Sequence, residues 1–341
     1  MVSYTPGIAS PPVTSPDETF TALGDTKFDK YTFTKSYTAR YVAVQFIAAY
    51  NTTKDKYHPG GDELRLDGID VAMLPYVWTS NPNNGGTTNW STATNWNPGV
   101  PNDATHAVTV GNLGTTGTID LLDSSGTAGQ SETIGQLTFS GSVATTIRST
   151  GSPTPGNLIF GSAAGPTVQI LVSSGSTAHT DTISAPMTLA GSANIKVTSA
   201  GDQLTLSGSM SGAGGLSLDA ANAGTVVLSS LTNTFSGATT VKAGVLQAGA
   251  VHSLSPNSGV TLTGGMLDVT SGSQTVSSFT MNSGALNLYV GNLLKCNGVA
   301  GFNGGTLNLS YLSLSHGTTE LIAYSSHSGS GFNSTPTLPA N

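Results

Sequence analysis

A five-residue pattern of glycine, any residue, leucine, any residue and an aliphatic residue recurs along the second half of the sequence. It occurs as GVLQA, GMLDV, GALNL and GTLNL, with a nearly constant interval between successive copies. Its central leucines are Leu246, Leu267, Leu286 and Leu307. The earlier segments GQLTF and GNLIF place Leu137 and Leu158 at the same interval. A repeat of about 20 residues, built from short apolar runs and glycine turns, predicts a solenoid in which each unit must stack on its neighbours.

The spacing of apolar residues favours strands over helices. Charged side chains make up 9% of the chain and hydrophobic residues 37%, whereas a disordered chain of low charge would lack so many aliphatic residues. Alternation over four to six residues is typical of strands, and no apolar stripe has the helical period. We therefore predict an all-β protein, a parallel β-helix with aliphatic residues inside and Ser, Thr and Asn outside. The predicted inward set includes Leu216, Leu218, Val226, Leu228, Val241, Leu246, Leu262 and Leu267.

Residues 212–249, GAGGLSLDAANAGTVVLSSLTNTFSGATTVKAGVLQAG, resemble the autotransporter-associated β-strand repeat of bacterial surface and secreted proteins. The segments GAGGL, GTVVL, NTFSGATTV and AGVL carry the resemblance, with Phe235 at the aromatic position. A looser periodicity extends it over about residues 111–332. The resemblance implies a right-handed parallel β-helix (β-solenoid), export from the cell, and a role in adhesion or scaffolding rather than catalysis.

The distribution of charge predicts a domain boundary near Leu74 and Pro75. Residues 17–70 hold 16 of the 29 charged side chains, whereas residues 203–341 hold five. We expect three parts: a small N-terminal β-module, a tryptophan-containing junction or cap, and the β-helix repeats. Their predicted ranges are 1–74, 75–110 and 111–341.

The N-terminal module, over residues 19–73, resembles part of a discoidin-like (F5/8 type C) sandwich. The segments ARYVAVQF and GGDELRLDGIDV match two of its late strands, and the resemblance implies loops that bind glycans or lipid head groups. An incomplete sandwich exposes strand edges, so we expect either the solenoid or another chain to complete it. Oxygen ligands for calcium are an alternative interpretation of Asp62, Glu63 and Asp67, but a solvated strand edge is favoured.

Net charge and cysteine content exclude several classes of function. A net charge of −7 and a pI near 5.1 argue against nucleic acids and anionic membranes as partners, because both require basic patches. The single cysteine, Cys296, cannot form an internal disulfide and is expected to be buried. No apolar run reaches the ~18 residues of a membrane-spanning helix. The first residues lack the basic and apolar regions of a signal peptide, so we expect the export signal to lie outside this chain.

Motifs of known catalytic chemistry are missing from the sequence. It contains no H-E-x-x-H, G-x-S-x-G, G-x-G-x-x-G or P-loop, and we predict no enzyme activity, no cofactor and no metal. His179 and Asp181, in AHTDT, are predicted to be ordinary solvent-facing residues of a strand. Asp219 and Asp268 are the acids that a β-helix enzyme degrading polysaccharides would use. We expect them instead to be structural or solvated.

Three tryptophans, Trp78, Trp90 and Trp96, are the candidate functional side chains. Indole rings stack on sugar faces, and they also supply the large apolar area that covers an open end of a solenoid. The sequence favours the second role.

The sequence thus predicts an extracellular structural protein, secreted or on the bacterial cell surface. Self-assembly into a fibre or surface matrix through the chain ends is the favoured mechanism, with adhesion in support. The alternative is a glycan-binding adhesin that recognises surface polysaccharide and uses the β-helix as a passive stalk. A more distant alternative is a β-helix enzyme that degrades polysaccharide.

Overall fold

The computed structural model describes residues 76–80, 88–111, 117–162, 167–174, 178–311 and 318–333. All of them belong to the second of the two units into which the chain divides, Pro75–Asn341. Within these ranges the only helical element is a single 3₁₀ turn, Ala93–Asn95, and the rest is strands and turns. The strands stack in parallel into a β-solenoid of about eight turns, which confirms the predicted fold class. The discoidin-like segment and the calcium alternative lie outside the described residues.

Three strand stacks, here called faces 1, 2 and 3, form the solenoid. Face 1 begins near the N-terminal end, where a two-residue strand, β2 (Trp96–Asn97), pairs antiparallel with its first member. Its strands are β1 (Tyr76–Trp78), β3 (Asp103–Val110), β5 (Glu132–Gly141), β8 (Val168–Ser174), β11 (Ala193–Val197), β14 (Leu216–Leu218), β16 (Thr239–Val241), β18 (Gly259–Val269), β20 (Ser278–Tyr289), β22 (Val299–Phe302) and β25 (Ser326–Ser328).

Face 2 follows face 1 along the chain in each turn. Strands β18 and β20 are long enough to bend at the corner and contribute their C-terminal halves to it. Its other strands are β4 (Gly117–Asp120), β6 (Thr145–Arg148), β9 (Thr180–Ile183), β12 (Gln203–Leu206), β15 (Thr225–Leu228), β17 (Val245–Ala248) and β23 (Thr306–Ser310).

Face 3 completes each turn and has the shortest strands. Its first members are the N-terminal parts of β3 and β5. The others are β7 (Leu158–Phe160), β10 (Met187–Leu189), β13 (Met210–Ser211), β19 (Gln274–Val276), β21 (Leu294–Cys296) and β24 (Ile322–Ala323). The last three form a separate three-stranded sheet.

The leucines of the repeat align in one column. Leu246 pairs with Leu267, Leu267 with Leu286, and Leu286 with Leu307, all on face 2. All eight residues of the predicted inward set are buried, which confirms that prediction.

The glycine that opens each repeat lies at the corner between faces 1 and 2. Gly244, Gly265, Gly284 and Gly305 have φ angles of +65°, +57°, +88° and +83°, in the left-handed region that residues with a Cβ rarely adopt. The corner is also crowded, because a Cβ at Gly244 would overlap the side-chain amide of Asn222. The repeat therefore begins with glycine for both conformational and steric reasons.

Buried amides replace strand pairing where face 3 is irregular, between β13 and β19. The Asn233 side chain accepts a hydrogen bond from the Met210 N–H (2.8 Å) and donates to the Ser253 carbonyl (2.7 Å). The Gln274 side chain accepts from the Leu254 N–H at 3.0 Å. Asn233 and the buried Phe235 belong to the segment NTFSGATTV, so this part of the repeat connects successive turns.

One expectation about the repeat is wrong: Leu137 and Leu158 do not occupy equivalent positions. Leu137 lies on face 1 and pairs with Ile170, whereas Leu158 lies on face 3 and pairs with Met187. The early turns have longer connections between strands. A step along the chain that spans one full turn in the later part therefore falls short of a full turn here, and it ends on a different face.

Candidate functional site

The three candidate tryptophans come together at the N-terminal end of the solenoid. Trp78 ends β1, Trp90 lies in a turn and Trp96 begins β2; they are 4%, 0% and 5% exposed. The Trp78 and Trp96 ring centroids are 4.9 Å apart in an edge-on arrangement, and those of Trp90 and Trp96 are 4.6 Å apart. Each indole therefore packs on another indole rather than presenting a face to solvent.

Hydrogen bonds fix the tryptophan cluster to the first turns. Trp90 Nε1 donates to the Pro101 carbonyl at 3.1 Å, and Trp96 Nε1 donates to the Trp90 carbonyl at 2.6 Å. The backbone of Trp90 also donates to the carbonyl of Asp120 in β4 at 2.9 Å. Residues 88–97 thus lie against the first strands of faces 1 and 2.

A buried glutamate, Glu132, lies beside this cluster at the start of β5. It is 0% exposed, and its Oε1 accepts a hydrogen bond from Ser91 Oγ at 3.1 Å. No hydrogen-bond partner reaches Oε2 among the described residues. Burial raises the pKa of the carboxyl to about 7, against the smaller opposing effect of the Ser91 hydrogen bond. The sequence analysis does not predict a buried position for Glu132. Its alternation with the inward Ile134 is the signal that indicates one.

His179, Asp181 and Asp202 form a second buried polar cluster, at the start of β9 and β12. The imidazole Nε2 lies 3.0 Å from Asp181 Oδ2, and Nδ1 lies 3.6 Å from Asp202 Oδ1. The side chains of His179, Asp181 and Asp202 are 7%, 1% and 0% exposed. The prediction that His179 and Asp181 face solvent is therefore wrong: Asp181 occupies an inward position, paired with Leu204.

The carboxylates of this cluster are unequally satisfied. Asp181 Oδ1 accepts the Thr145 N–H at 2.8 Å, but Asp202 Oδ2 has no hydrogen-bond partner among the described residues. Burial raises the pKa of the Asp181 carboxyl above its usual range, while the Thr145 N–H and His179 act in the opposite direction. A further buried acid, Asp120, is held by Arg148 Nε at 2.8 Å and by the backbone N–H and Oγ1 of Thr150.

The two acids proposed for a polysaccharide-degrading site lie on different faces. Asp219 directly follows β14 on face 1, where the side chain of Asn194 donates to it at 2.7 Å. That hydrogen bond is the largest of several effects that lower the pKa of the Asp219 carboxyl. Asp268 lies in β18 on face 2 and accepts hydrogen bonds from the backbone and hydroxyl of Thr270. The fold does not bring Asp219 and Asp268 together.

Outward rows of polar side chains lie along both long faces, and the row on face 2 includes Asp268 between Gln247 and Asn287. On face 1, Asn194 Nδ2 donates to Gln169 Oε1 at 3.1 Å, and on face 2 Asn308 Nδ2 donates to Asn287 Oδ1 at 2.9 Å. Neighbouring strands are about 4.8 Å apart, so donors and acceptors recur at that interval. The row on face 1 comprises Gln136, Gln169, Asn194, Ser217, Thr240, Thr261 and Thr280.

At the C-terminal end, the last strand of every face is paired on one side only within the described residues. Strand β23 pairs with β20, β24 with β21, and β25 with β22. All three residues of β25 are exposed, and so are the nearby side chains of Val299 (49%) and Tyr324 (43%).

The described ranges contain neither a metal-binding cluster nor a membrane-spanning helix. No three His, Cys, Asp or Glu side chains there are arranged so that they could hold a metal ion. No helix within them has the length and apolar character needed to cross a membrane.

Part of the regular stack of turns is similar to a known family of repeats. A model of the passenger-associated-transport-repeat family matches residues 218–248, from the end of β14 to the end of β17. No curated protein and no solved structure matches the chain. The match covers about one turn in the regular part of the solenoid, where the corner glycines and the bridging Asn233 lie. Together, the repeat and the β-solenoid fit a protein similar to an autotransporter passenger.

Proposed function

We propose that this chain is the β-solenoid part of an extracellular bacterial protein, secreted or held at the cell surface, whose role is structural rather than catalytic. The family match within a stack of regular turns carries the proposal. The separation of Asp219 and Asp268 supports the absence of a carboxylate active site on the regular turns. The outward rows of amides and hydroxyls suit a surface that meets solvent without strong charge.

Self-assembly through the C-terminal turn is the proposed mechanism, with adhesion as its outcome. Strand edges with unpaired N–H and C=O groups are templates for pairing with another chain. In the described part of the solenoid the two ends differ: residues 88–97 lie on the N-terminal strands, whereas β23, β24 and β25 each have a second edge to offer. A second copy of this chain is the proposed partner of those edges.

Electron microscopy of the purified chain, with sedimentation velocity on the same sample, tests the assembly. We expect ordered filaments or sheets, or a discrete oligomer, that disperse when Ser326→Lys and Ser328→Lys place two charges on β25. The matched control is Thr234→Lys with Ser236→Lys, a pair of exposed residues at the same spacing in a central turn. A monodisperse monomer at every concentration would refute assembly, and equal disruption by both pairs would refute the role of β25.

The alternative function is binding of surface polysaccharide. The outward rows favour it, because closely spaced amides and hydroxyls can hydrogen-bond with sugar hydroxyls. The buried indoles do not support it, since stacking on a sugar ring needs an exposed face. Co-sedimentation with a panel of neutral polysaccharides separates the functions: binding by a monomeric chain favours recognition, and assembly without binding favours the structural role.

A further inference from the structure

Among the described residues, the buried acids lie in the first half of the solenoid. The described residues contain four acidic side chains that are at most 2% exposed: Asp120, Glu132, Asp181 and Asp202. From residue 203 to residue 311, which the structure describes without a gap, no carboxyl, amine, guanidinium or imidazole group is buried. The buried thiol of Cys296 has a pKa raised to about 11 by burial, so it ionises well above neutral pH. Polar groups inside this second half are otherwise neutral amides and hydroxyls.

Glu132 has little compensation for a negative charge. The titratable groups on the adjacent elements are Asp103 and His106 on β3 and Asp123 after β4. Two of them are acids, and His106 forms no ion pair with Glu132 in the described structure. Among the described residues only the Ser91 hydroxyl reaches its Oε1, and that hydroxyl also reaches the Leu122 carbonyl, while Oε2 has no partner. Ionisation of Glu132 would therefore place a poorly solvated charge beside the tryptophan cluster.

The cluster around Asp181 has the same imbalance. Two carboxylates face one imidazole, so the cluster is negative once both acids are ionised, even when His179 is protonated. The other charged groups on adjacent strands are Arg148 on β6, which is paired with Asp120, and Lys196, which lies outward on face 1 near Asp219. Neither forms an ion pair with the buried carboxylates of Asp181 and Asp202 in the described structure.

We propose that the described turns between residues 117 and 202 respond to pH: they loosen as Glu132 and Asp181 ionise on raising the pH, while residues 203–311 stay closed. Solenoid turns contact only their neighbours, so part of the stack can open without the rest. The direction follows from proton binding. Burial raises the pKa of Glu132 from 4.5 to about 7, so between these values the folded segment keeps a proton that the unfolded chain has released. The contribution of Glu132 to the free energy of unfolding of this segment is therefore fully present below pH 4.5 and is lost as the pH rises through 7.

Asp181 acts in the same direction, because burial raises the pKa of its carboxyl. For Glu132 alone, the equilibrium constant for opening rises by roughly 70-fold between pH 5 and pH 8. Asp120 is not part of this proposal, because its carboxyl is paired with Arg148 Nε and accepts hydrogen bonds from Thr150. The loosening therefore centres on the turns that contain β5 and β9.

Hydrogen exchange with mass spectrometry on the whole chain, at pH 5 and pH 8, tests this proposal. Rates are corrected for the intrinsic pH dependence of amide exchange. We expect protection of peptides within residues 117–202 to fall by tens of fold, and protection within residues 203–311 to change by less than about threefold. Equal changes in both halves, or none in either, would overturn the proposal.

Two neutral variants assign the effect to the proposed groups. Glu132→Gln keeps an oxygen for Ser91 but cannot ionise, and it should remove most of the loss of protection around β5 between pH 5 and pH 8. Asp181→Asn should remove the loss of protection that remains around β9. The matched control is Asp103→Asn, an exposed acid on the neighbouring strand, which should leave the fall unchanged. A fall that survives in the Glu132→Gln, Asp181→Asn double variant would refute the assignment to these two groups.

Discussion

Removal of the Trp90 side chain should open the N-terminal end of the solenoid while leaving most of it folded. Trp90 is 0% exposed, packs against Trp96 at 4.6 Å, and donates a hydrogen bond to the Pro101 carbonyl. Truncation of a buried tryptophan to alanine costs about 3–5 kcal/mol, which raises the equilibrium constant for opening this end by at least about 100-fold. Because contacts are between neighbouring turns, distant turns should lose much less.

The chain offers a direct assay for this effect. All three of its tryptophans lie in the cluster, so intrinsic fluorescence reports the N-terminal end, whereas far-ultraviolet circular dichroism reports the strands of the whole chain. In urea, Trp90→Ala should shift the fluorescence midpoint to lower concentration by more than the dichroism midpoint. Trp90→Phe should shift it less, because a ring is retained.

Leu231→Ala is a suitable control for the tryptophan experiment, since Leu231 is 59% exposed and surface substitutions usually change stability by less than about 0.5 kcal/mol. An unchanged fluorescence midpoint in Trp90→Ala would refute the role of the indoles as a cover for the solenoid end. A change in wild-type fluorescence on adding a polysaccharide would instead favour the role in ligand binding.

Three further predictions concern the regular turns. Leu246→Ala should lower the free energy of unfolding by about 2–5 kcal/mol, whereas Gln247→Ala, on the outward side of the same strand, should change it by less than about 0.5 kcal/mol in the same urea titration. Gly244→Ala should lower the thermal midpoint, because φ is +65° and a Cβ would overlap the Asn222 amide; an unchanged midpoint would mean that the corner can adjust. Cys296 is 3% exposed with a pKa of about 11, so a thiol reagent at pH 8 should label it only after denaturation, and rapid labelling of the native chain would contradict its burial.

The regular half of the fold could be predicted because two constraints agree there. Leucines that recur at a nearly constant interval fix the stacking of turns, and the glycine that opens each copy of the repeat fixes the corner. Both constraints depend on local geometry, which the sequence shows directly. The column from Leu246 to Leu307 is therefore paired as the spacing indicates.

The irregular half could not be predicted in the same way, because its connections vary in length. Val108, Leu137, Ile170 and Ile195 are aligned on face 1, but the steps between them along the chain are unequal, and the step from Leu137 to Ile170 is the longest. No single period relates these turns, so equal spacing in the sequence does not mean equivalent positions in the structure. For this reason the prediction that Leu137 and Leu158 occupy equivalent positions is wrong.

The buried acids show a conflict between two rules that the sequence cannot resolve. Alternation with Ile134 and Ile183 predicts that Glu132 and Asp181 point inward. The free-energy cost of burying a charge predicts that they point outward. In the structure alternation prevails. The free-energy cost of burying the two acids is limited by local hydrogen bonds and by the raised pKa of both carboxyls. For the tryptophans the two rules agree, since large apolar side chains favour burial wherever the fold provides an apolar surface to pack against.

The inward position of Asp181 shows how the two halves of the solenoid differ. The same column continues with Leu204, Val226 and Leu246 in the following turns, so one position changes from an acid to aliphatic residues at β12. The family match begins after this change, at residue 218. Repeated aliphatic turns bury no group that titrates near neutral pH, so their stacking does not depend on protonation. The buried acids lie where the turns are least regular. Local opening there disturbs few of the leucine contacts that recur from turn to turn in the second half. A structural solenoid that responds to pH would need this arrangement, with the titrating groups at one end and the uniform stack beyond them.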